Sequence, residues 1–145
     1  MRISDILRSK GSSVITISPQ ATVDSLLALL AEHHVGALVV SGDGSSVDGI
    51  VSERDVVRAL AARGPSVLSA TVDQIHTTDV TTADPGTRLE ELMQVMTDGR
   101  FRHVPVVVDG QLQGIVSIGD VVKARITDLE VEREALAGYI TSATT

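Results

Sequence analysis

The sequence contains no cysteine and almost no aromatic residues. The absence of cysteine excludes disulfide bonds, thiolate nucleophiles and zinc sites built on thiolates. Aromatic residues make up 1% of the 145 residues, with Phe101 and Tyr139 as the two examples, whereas hydrophobic residues make up 43%. A chain with this share of apolar residues can bury a core, and that core must be aliphatic.

Long apolar runs and an excess of positive charge are missing as well. No stretch approaches the roughly 18 apolar residues of a membrane-spanning helix, and the opening MRISDILRSK lacks the apolar segment of a signal peptide. The formal net charge is −7, from 19 acidic and 12 basic residues, which disfavours binding to nucleic acid backbones. We therefore predict a cytoplasmic protein whose main partner is neither a membrane nor a nucleic acid.

The strongest positive feature is an internal repeat. Residues 14–40 match residues 80–106 at an offset of 66 positions, so that Pro19 corresponds to Pro85. The match resumes at an offset of 65 between residues 48–60 and 113–125. The predicted organisation is a first unit at residues 1–63, a linker at 64–70, a second unit at 71–127 and a helical tail at 128–145.

Each unit has the same predicted order of strands and helices. The first helix of each unit is marked by apolar residues at helical spacing, namely Val23, Leu26, Leu27 and Leu30, matched by Leu89, Leu92, Met93 and Met96. In the first unit, strands are predicted at residues 14–17, 37–40 and 49–52, and the last helix at 54–62. In the second unit, strands are predicted at residues 80–82, 104–108 and 114–117, and the last helix at 119–127. This alternation, with an antiparallel strand pair in each unit, indicates an α/β (α+β) fold.

Both units contain the motif G-I-V-S-x-x-D, which places Ser52 and Asp55 in the first unit and Ser117 and Asp120 in the second. A serine followed by an acidic residue three positions later is typical of a capping box, and negative charge is favourable at a helix start. The same position also offers backbone N–H groups to an anion, while the hydroxyl and the carboxylate could hold ribose hydroxyls. The structural and the ligand-binding interpretations both stay open on this pattern alone.

Two such units, together with the segment Arg102-His103-Val104-Pro105-Val106, resemble a pair of cystathionine-β-synthase (CBS) domains, also called a Bateman module. The resemblance covers about residues 1–127 and is similar to stand-alone bacterial pairs. It implies two pseudo-symmetric β-α-β-β-α units packed sheet to sheet. It also implies a regulatory module, with no catalytic residue, that senses an adenine-containing nucleotide such as AMP, ATP or NAD and signals by a conformational change. No obligatory cofactor is implied.

The resemblance places one ligand pocket at each motif, completed by strand residues of the other unit. The residues implied for the first pocket are Ser52, Asp55, Val80, Thr81, Arg102, His103 and Val104. The residues implied for the second pocket are Ser117, Asp120, Val14, Ile15, Ala37 and Leu38, with Lys123 one helical turn beyond Asp120. Because Gly36 and Ala37 stand where the second unit has Arg102 and His103, we expect the first pocket to bind phosphate better.

Other residues in the sequence give little support for a metal site or for catalysis. Adjacent His33 and His34 diverge on a helix and have no third ligand at a suitable spacing, so no metal site is predicted. No nucleophile elbow or ordered catalytic triad is present, which makes a small hydrolase or transferase the least favoured function. A structural or protein-interaction module without a physiological nucleotide is the stronger alternative.

The tail has an apolar stripe at helical spacing, formed by Val122, Ile126, Leu129, Leu136 and Ile140. Arg133 interrupts this stripe. The stripe either packs on its own module or contacts another chain. Because CBS pairs commonly join as dimers, the resemblance predicts a homodimer with a two-fold axis, beside a regulated protein that the sequence does not identify.

Overall fold

The computed structural model of the chain describes residues 1–11 and 13–143. The first unit contains β1 (Thr16–Ile17), α2 (Val23–His33), β2 (Ala37–Val40), β3 (Gly49–Ser52) and α3 (Glu53–Arg63). Strand β1 pairs parallel with β2, and β2 pairs antiparallel with β3. The antiparallel pair confirms the prediction, and β1 is two residues shorter than expected.

Helix α2 shows why the apolar spacing was informative. The hydroxyl of Thr22 accepts a hydrogen bond from Ser25 N (3.1 Å), which caps the helix start. Val23, Leu26 and Leu30 are buried on one face of α2. These side chains form one side of the first core and hold the helix against the three-stranded sheet.

The second unit contains α4 (Leu89–Gly99), β4 (His103–Val108) and β5 (Gln111–Ser117). Strands β4 and β5 form an antiparallel hairpin. Asp109 and Gly110 have φ angles of 51° and 76° at the hairpin turn, as a two-residue turn with the twist of the strands requires. The two units with their helices and small sheets confirm the predicted mixed fold.

The strand predicted at residues 80–82 is wrong. Ala83 alone forms a parallel bridge, to Val106 of β4. Thr77 forms a bridge with Ile50 of β3, through two hydrogen bonds of 2.9 Å. The chain therefore crosses from the sheet of the first unit to that of the second between residues 77 and 83, and residues 80–82 pair with neither sheet.

Each unit has its own core, built almost entirely from aliphatic side chains. The first core consists of Ile17, Val23, Leu26, Leu30, Leu38, Val40, Val51, Val56 and Val72. The second core consists of Ile3, Ile6, Leu89, Leu92, Met96, Val104, Val106, Val116, Val121 and Ala124. The prediction of an aliphatic core is confirmed.

The first residues of each unit pack against the other unit. Ile3 N donates to the carbonyl of Thr87 (2.9 Å), and Val72 N donates to the carbonyl of Ala21 (2.8 Å), which is the repeat-equivalent bond. Ile3 and Val72 are both fully buried, Ile3 in the second core and Val72 in the first. This reciprocal exchange ties the two units together on both sides.

The exchange adds a helix that the apolar pattern did not predict. Helix α1 (Ile3–Lys10) lies in the first half of the chain, but its buried residues Ile3 and Ile6 belong to the second core. The linker also has structure, since Pro65–Ser69 is a 3₁₀ helix and Val67 is fully buried. Each of the two cores therefore contains side chains from both residues 1–63 and residues 71–127.

The last helix and the tail form one continuous element, α5 (Ile118–Ala143), of 26 residues. At about 1.5 Å per residue, α5 is roughly 39 Å long. Residues 129–141 of α5 are exposed. Within residues 1–11 and 13–143, no helix is long and apolar enough to cross a membrane.

Candidate ligand-binding site

A cavity of about 630 Å³ lies at the start of α3. Both units contribute to its wall, including the part of the chain that passes from one sheet to the other at residues 77–83. The wall is formed by Gly36, Ala37, Ile50, Ser52, Glu53, Arg54, Asp55, Val57, Arg58, Thr77, Asp79, Val80, Thr81, Arg100, Phe101, Arg102 and His103. Drug-sized and cofactor-sized ligands bind in cavities of about 300–1,000 Å³, so this volume fits a nucleotide.

Ser52 and Asp55 form a complete capping box at the start of α3. Asp55 N donates to the hydroxyl of Ser52 (3.3 Å), and Ser52 N donates to Oδ2 of Asp55 (2.8 Å). The Ser52 hydroxyl also donates to Oδ2 of Asp55 (3.1 Å). Among the described residues, Oδ1 of Asp55 has no hydrogen-bond donor, and Asp55 lines the cavity. The structural role is thus present, and one carboxylate oxygen stays available for a ligand hydroxyl.

Six of the seven residues implied for the first pocket line this cavity: Ser52, Asp55, Val80, Thr81, Arg102 and His103. Val104 is the exception, because its side chain is fully buried in the second core. The alternation of a β-strand explains this difference, since neighbours along β4 point to opposite faces. His103 therefore faces the cavity while Val104 faces the core.

His103 is partly buried and lies near charged side chains of both signs. A methyl group placed on Gly36 would lie 3.5 Å from Cε1 of His103 and 3.5 Å from Oε1 of Glu53, so these residues are close neighbours. Burial lowers the pKa of His103 below its ordinary value, and the negative charges of Glu53 and Asp120 only partly oppose this effect. The imidazole is therefore mainly neutral at neutral pH and can both donate and accept a hydrogen bond.

The sequence reasoning missed three arginines of the cavity, Arg54, Arg58 and Arg100. Arg54 and Arg58 lie four residues apart and thus on one face of α3, beside Asp55. That spacing was visible in the sequence and could have identified them. Phe101, one of the two aromatic residues, also lines the cavity and packs against the second core.

The residues implied for the second pocket are not gathered in one cavity, and Asp120 is bonded to a lysine of α1. Nζ of Lys10 donates to Oδ2 of Asp120 (2.7 Å) and to the carbonyl of Ile115 (2.6 Å). Burial raises the pKa of Asp120, but the hydrogen bonds from Lys10 and Ser117 and the Lys10 charge outweigh it, so the net pKa is lowered. Lys10 comes from α1, and the sequence did not predict that α1 packs on this unit.

The other residues implied for the second pocket are dispersed. Asp120 and Lys123 line a smaller cleft of about 190 Å³, to which Ser9 and Lys10 of α1 also contribute. Ala37 lines the large cavity instead. The remaining members do not line either cavity: Ser117 caps α5, Ile15 packs against the first core, Leu38 is buried in it, and Val14 is partly buried.

The apolar stripe of α5 does not pack on its own module. The exposed fractions of Val122, Ile126, Leu129, Leu136 and Ile140 range from 46% to 61%. Tyr139, on the same helix, is 73% exposed. Large exposed apolar patches on soluble domains are typical of interaction surfaces.

Comparison with known proteins identifies the family. The model of the CBS domain matches residues 3–62 and 72–127. The mitochondrial CBS domain-containing protein CBSX3 of Arabidopsis thaliana is 38% identical over 146 residues, which cover 95% of this chain and 71% of the relative. A CBS-domain containing protein from Agrobacterium tumefaciens, known as a crystal structure, is 43% identical with a TM-score of 0.82, over 86% of this chain and 99% of that chain.

A more distant structure has the same fold with ligands bound. The CBS domain pair of protein MJ0100, in complex with 5′-methylthioadenosine and S-adenosyl-L-methionine, is 24% identical with a TM-score of 0.77. The match covers 88% of this chain and 98% of that chain. With both repeats matched by the family model and the whole paired fold shared with solved members, the chain belongs to the CBS-domain family.

Proposed function

We propose that this CBS pair is a regulatory module, not an enzyme, which binds an adenine-containing nucleotide in the 630 Å³ cavity. The observation that carries the proposal is the convergence of Ser52 and Asp55 with Arg102 and His103 from the other unit. The adenosyl ligands bound by the MJ0100 pair support a ligand of this class. In the proposed pose, free Oδ1 of Asp55 accepts from a ribose hydroxyl.

The apolar part of the cavity suits an adenine ring. Ile50, Val57 and Val80 provide aliphatic surface, and Phe101 provides a ring on which the base can stack. Arg102 supplies donors for a phosphate, because a guanidinium matches phosphate oxygens in a fixed, two-pronged geometry. One ligand would thereby contact both units.

The proposed output is a change in the relative position of the two units. Thr77, Asp79, Val80 and Thr81 belong to residues 77–83, where the chain passes from one sheet to the other, and they line the cavity. A ligand held there would therefore restrict the movement of this part of the chain. A ligand shifts an equilibrium only when it binds two states unequally. We expect hydrogen exchange to slow at residues 52–55 and 77–81 when ligand is added; unchanged exchange at saturating ligand would contradict the proposed output.

The decisive experiment measures binding of AMP, ATP and NAD by calorimetry to the unmodified chain and to matched variants. We expect Asp55→Ala to weaken binding by about tenfold or more, because it removes one hydrogen bond of a charged group. Asp120→Ala is the matched control, since it removes the same type of helix cap but from a carboxylate that Lys10 already occupies. Arg102→Ala should likewise weaken binding of phosphate-bearing ligands by about tenfold or more.

Three outcomes would contradict the proposal. A larger loss of affinity from Asp120→Ala than from Asp55→Ala would show that the ligand binds in the smaller cleft at Asp120 and not in the 630 Å³ cavity. The alternative of an interaction module would be favoured by two negative results together. Calorimetry would show no binding of AMP, ATP or NAD, and mass spectrometry would find no adenine-containing molecule released from heat-denatured protein. Turnover of a bound nucleotide by purified protein would contradict the non-enzymatic role.

The exposed stripe of α5 favours a homodimer as the working assembly, in which two copies bury Leu129, Leu136 and Ile140 against each other. A two-fold arrangement brings the same surface of both copies together. A further, regulated protein would then read the ligand-dependent shape of the dimer. The location in the cytoplasm stays a prediction, and the Arabidopsis relative carries the name of a mitochondrial protein.

A further inference from the structure

The exposed stripe of α5 forms an unbroken heptad pattern when Arg133 is included. Its six positions alternate spacings of four and three residues, which is the spacing of a coiled-coil seam. They are Val122, Ile126, Leu129, Arg133, Leu136 and Ile140. In heptad notation, Arg133 occupies a central a position, between Leu129 and Leu136 at d positions. A repeat of seven residues keeps one face of a helix directed at the same partner helix along its whole length.

This seam faces away from the chain's own module. Its five apolar side chains are 46% to 61% exposed, and Arg133 is exposed as well. Helix α5 packs on the module through another face, on which Val121 and Ala124 are buried. The match to the CBS family ends at residue 127, whereas α5 continues to Ala143. The second half of α5 thus lies beyond the matched CBS domains and presents its seam to solvent.

The charged residues beside the seam have few partners in their own chain. Among the described residues, Glu130, Glu132 and Arg133 form no ion pair and no side-chain hydrogen bond. The shortest ion pair of Arg125, with Asp128, measures 3.6 Å between Nη1 and Oδ2. Such a long, partly exposed ion pair contributes little, so these side chains are available to a second helix.

These charges are complementary to the same helix of a second copy when the two helices are parallel. In a parallel pair, a side chain at g lies beside the partner's e position five residues further on, which brings Arg125 to the partner's Glu130. A side chain at a inserts into a hole that includes the partner's preceding g position, which brings Arg133 to the partner's Glu132. The two-fold axis repeats both contacts, so opposite charges meet on both sides of the seam.

Antiparallel helices either bury the whole seam or pair opposite charges, but not both. They bring e positions beside e positions and g positions beside g positions. In the register that buries the whole seam, Glu130 and Glu132 would each face their own copies, which is repulsive. In the register one heptad shorter, Glu132 meets the partner's Arg125, but Leu136 and Ile140 extend beyond the partner's seam. The parallel arrangement alone meets both conditions.

We propose that α5 pairs with α5 of a second copy as a parallel, in-register coiled coil, and that Arg133 fixes its register through the partner's Glu132. This inference rests on the homodimer of the proposed function and specifies its orientation. A single charged residue at an a position lowers the stability of a coiled coil but selects one register. Both modules of the dimer then lie at the same end of the helix pair, because each module precedes its α5 in the chain.

The absence of cysteine from the chain allows a direct test with single-cysteine variants of the full chain under mild oxidation. Identical d positions face each other in a parallel, in-register pair. Leu136→Cys should therefore form an intermolecular disulfide at least about tenfold faster than the matched control Val131→Cys, which lies outside the seam. A mixture of Ile126→Cys and Leu136→Cys chains should give no disulfide between the two variants, because these positions are about 15 Å apart along a parallel pair.

Sedimentation equilibrium of charge variants tests the role of Arg133 without a disulfide. Arg133→Glu should weaken the dimer by at least about tenfold, because two attractive contacts with Glu132 become repulsive. The double variant Glu132→Arg with Arg133→Glu exchanges the two charges and should restore the dissociation constant to within about threefold. Glu134→Arg is the matched control, since Glu134 lies outside the a, d, e and g positions, and it should leave the dimer unchanged.

The outcomes separate this inference from the proposed function. A dimer in which Leu136→Cys cross-links no faster than Val131→Cys, or in which Ile126→Cys joins Leu136→Cys, would overturn the parallel arrangement and leave the homodimer intact. An Arg133→Glu dimer as stable as that of Glu134→Arg would overturn the role of Arg133. A monomeric unmodified chain would overturn the inference together with the homodimer, whereas nucleotide binding is decided separately by calorimetry.

Discussion

Replacement of Lys10 by methionine tests whether α1 is held to the second unit by its contact with Asp120. Methionine keeps most of the apolar stem of lysine and removes the ammonium group, which donates to Oδ2 of Asp120 at 2.7 Å and to the carbonyl of Ile115 at 2.6 Å. Hydrogen bonds of charged groups contribute about 1.5–3 kcal/mol. The side chains of Lys10 and Asp120 are 37% and 25% exposed, which screens the pair. Allowing for solvent screening, we expect the free energy of unfolding to fall by about 1–2 kcal/mol.

The assay is urea unfolding of four chains, namely the unmodified protein, Lys10→Met, Asp120→Asn and the double variant. The double-mutant cycle should give a coupling energy of about 1 kcal/mol between Lys10 and Asp120. Lys10→Met should lower the thermal midpoint by about 3–8 °C for a chain of this length. Arg8→Met is the matched control on α1, because Arg8 is 77% exposed and pairs only within its own helix; it should cost less than about 0.5 kcal/mol.

The pH dependence of the same variants provides a second check. Because the folded-state pKa of Asp120 is lowered, the stabilisation is fully present above the unfolded pKa of about 3.9 and is lost as pH falls through the lower folded value. The stability difference between the unmodified chain and Lys10→Met should thus be constant from about pH 5 to 8 and shrink in more acidic solution. A Lys10→Met variant that is as stable as Arg8→Met, or a coupling energy of zero, would refute the role assigned to Lys10.

Three further predictions concern the linker crossing, the tail and the cavity histidine. Gly49→Ala should lower the free energy of unfolding by more than about 1 kcal/mol, because the new methyl would lie 2.7 Å from the carbonyl oxygen of Thr77. Gly138→Ala, with no atom within 4 Å, should raise the free energy of unfolding slightly or leave it unchanged in calorimetric melts. Leu129→Asp should weaken a homodimer in light scattering at micromolar concentration, whereas Val131→Asp, 59% exposed on a different face of α5, should not; a monomeric unmodified chain would contradict the dimer. Since burial lowers the pKa of His103, stability should fall as pH drops below about 6.5, by at most about 1.4 kcal/mol per unit, and His103→Gln should flatten this slope; an identical slope in both proteins would contradict the burial of a neutral imidazole.

Several lining residues of the large cavity could be predicted because they lie in short motifs. The capping geometry of Ser52 and Asp55 follows from local backbone rules, and Arg102 and His103 lie directly beside a strand that the apolar pattern identified. Val104 was placed in the pocket because the resemblance implied a continuous segment, while the strand alternation directs its side chain into the core. The period-two rule by itself predicts that the side chains of His103 and Val104 lie on opposite faces of β4.

The surroundings of Asp120 could not be predicted, for a different reason. Whether Asp120 is open to a ligand depends on Lys10, which lies 110 residues away in sequence. Helix α1 carries only a short apolar pattern, and no local signal tells against which unit Ile3 and Ile6 pack. The same limit applies to Arg100, whose side chain reaches the cavity only through the tertiary arrangement of the two units.

The doubling of the unit, the two serine helix caps and the helices and strands with clear apolar periodicity were determined by the amino-acid sequence alone, because periodicity and capping act over a few neighbouring residues. The tertiary structure decided the exchange of the leading segments, the absence of a strand at residues 80–82 and the difference in volume between the two cavities. The two repeats are nearly equivalent in local sequence, but contacts such as those of Lys10 and Thr77 connect distant parts of the chain. Such contacts depend on the packing of whole units, which local pattern does not encode.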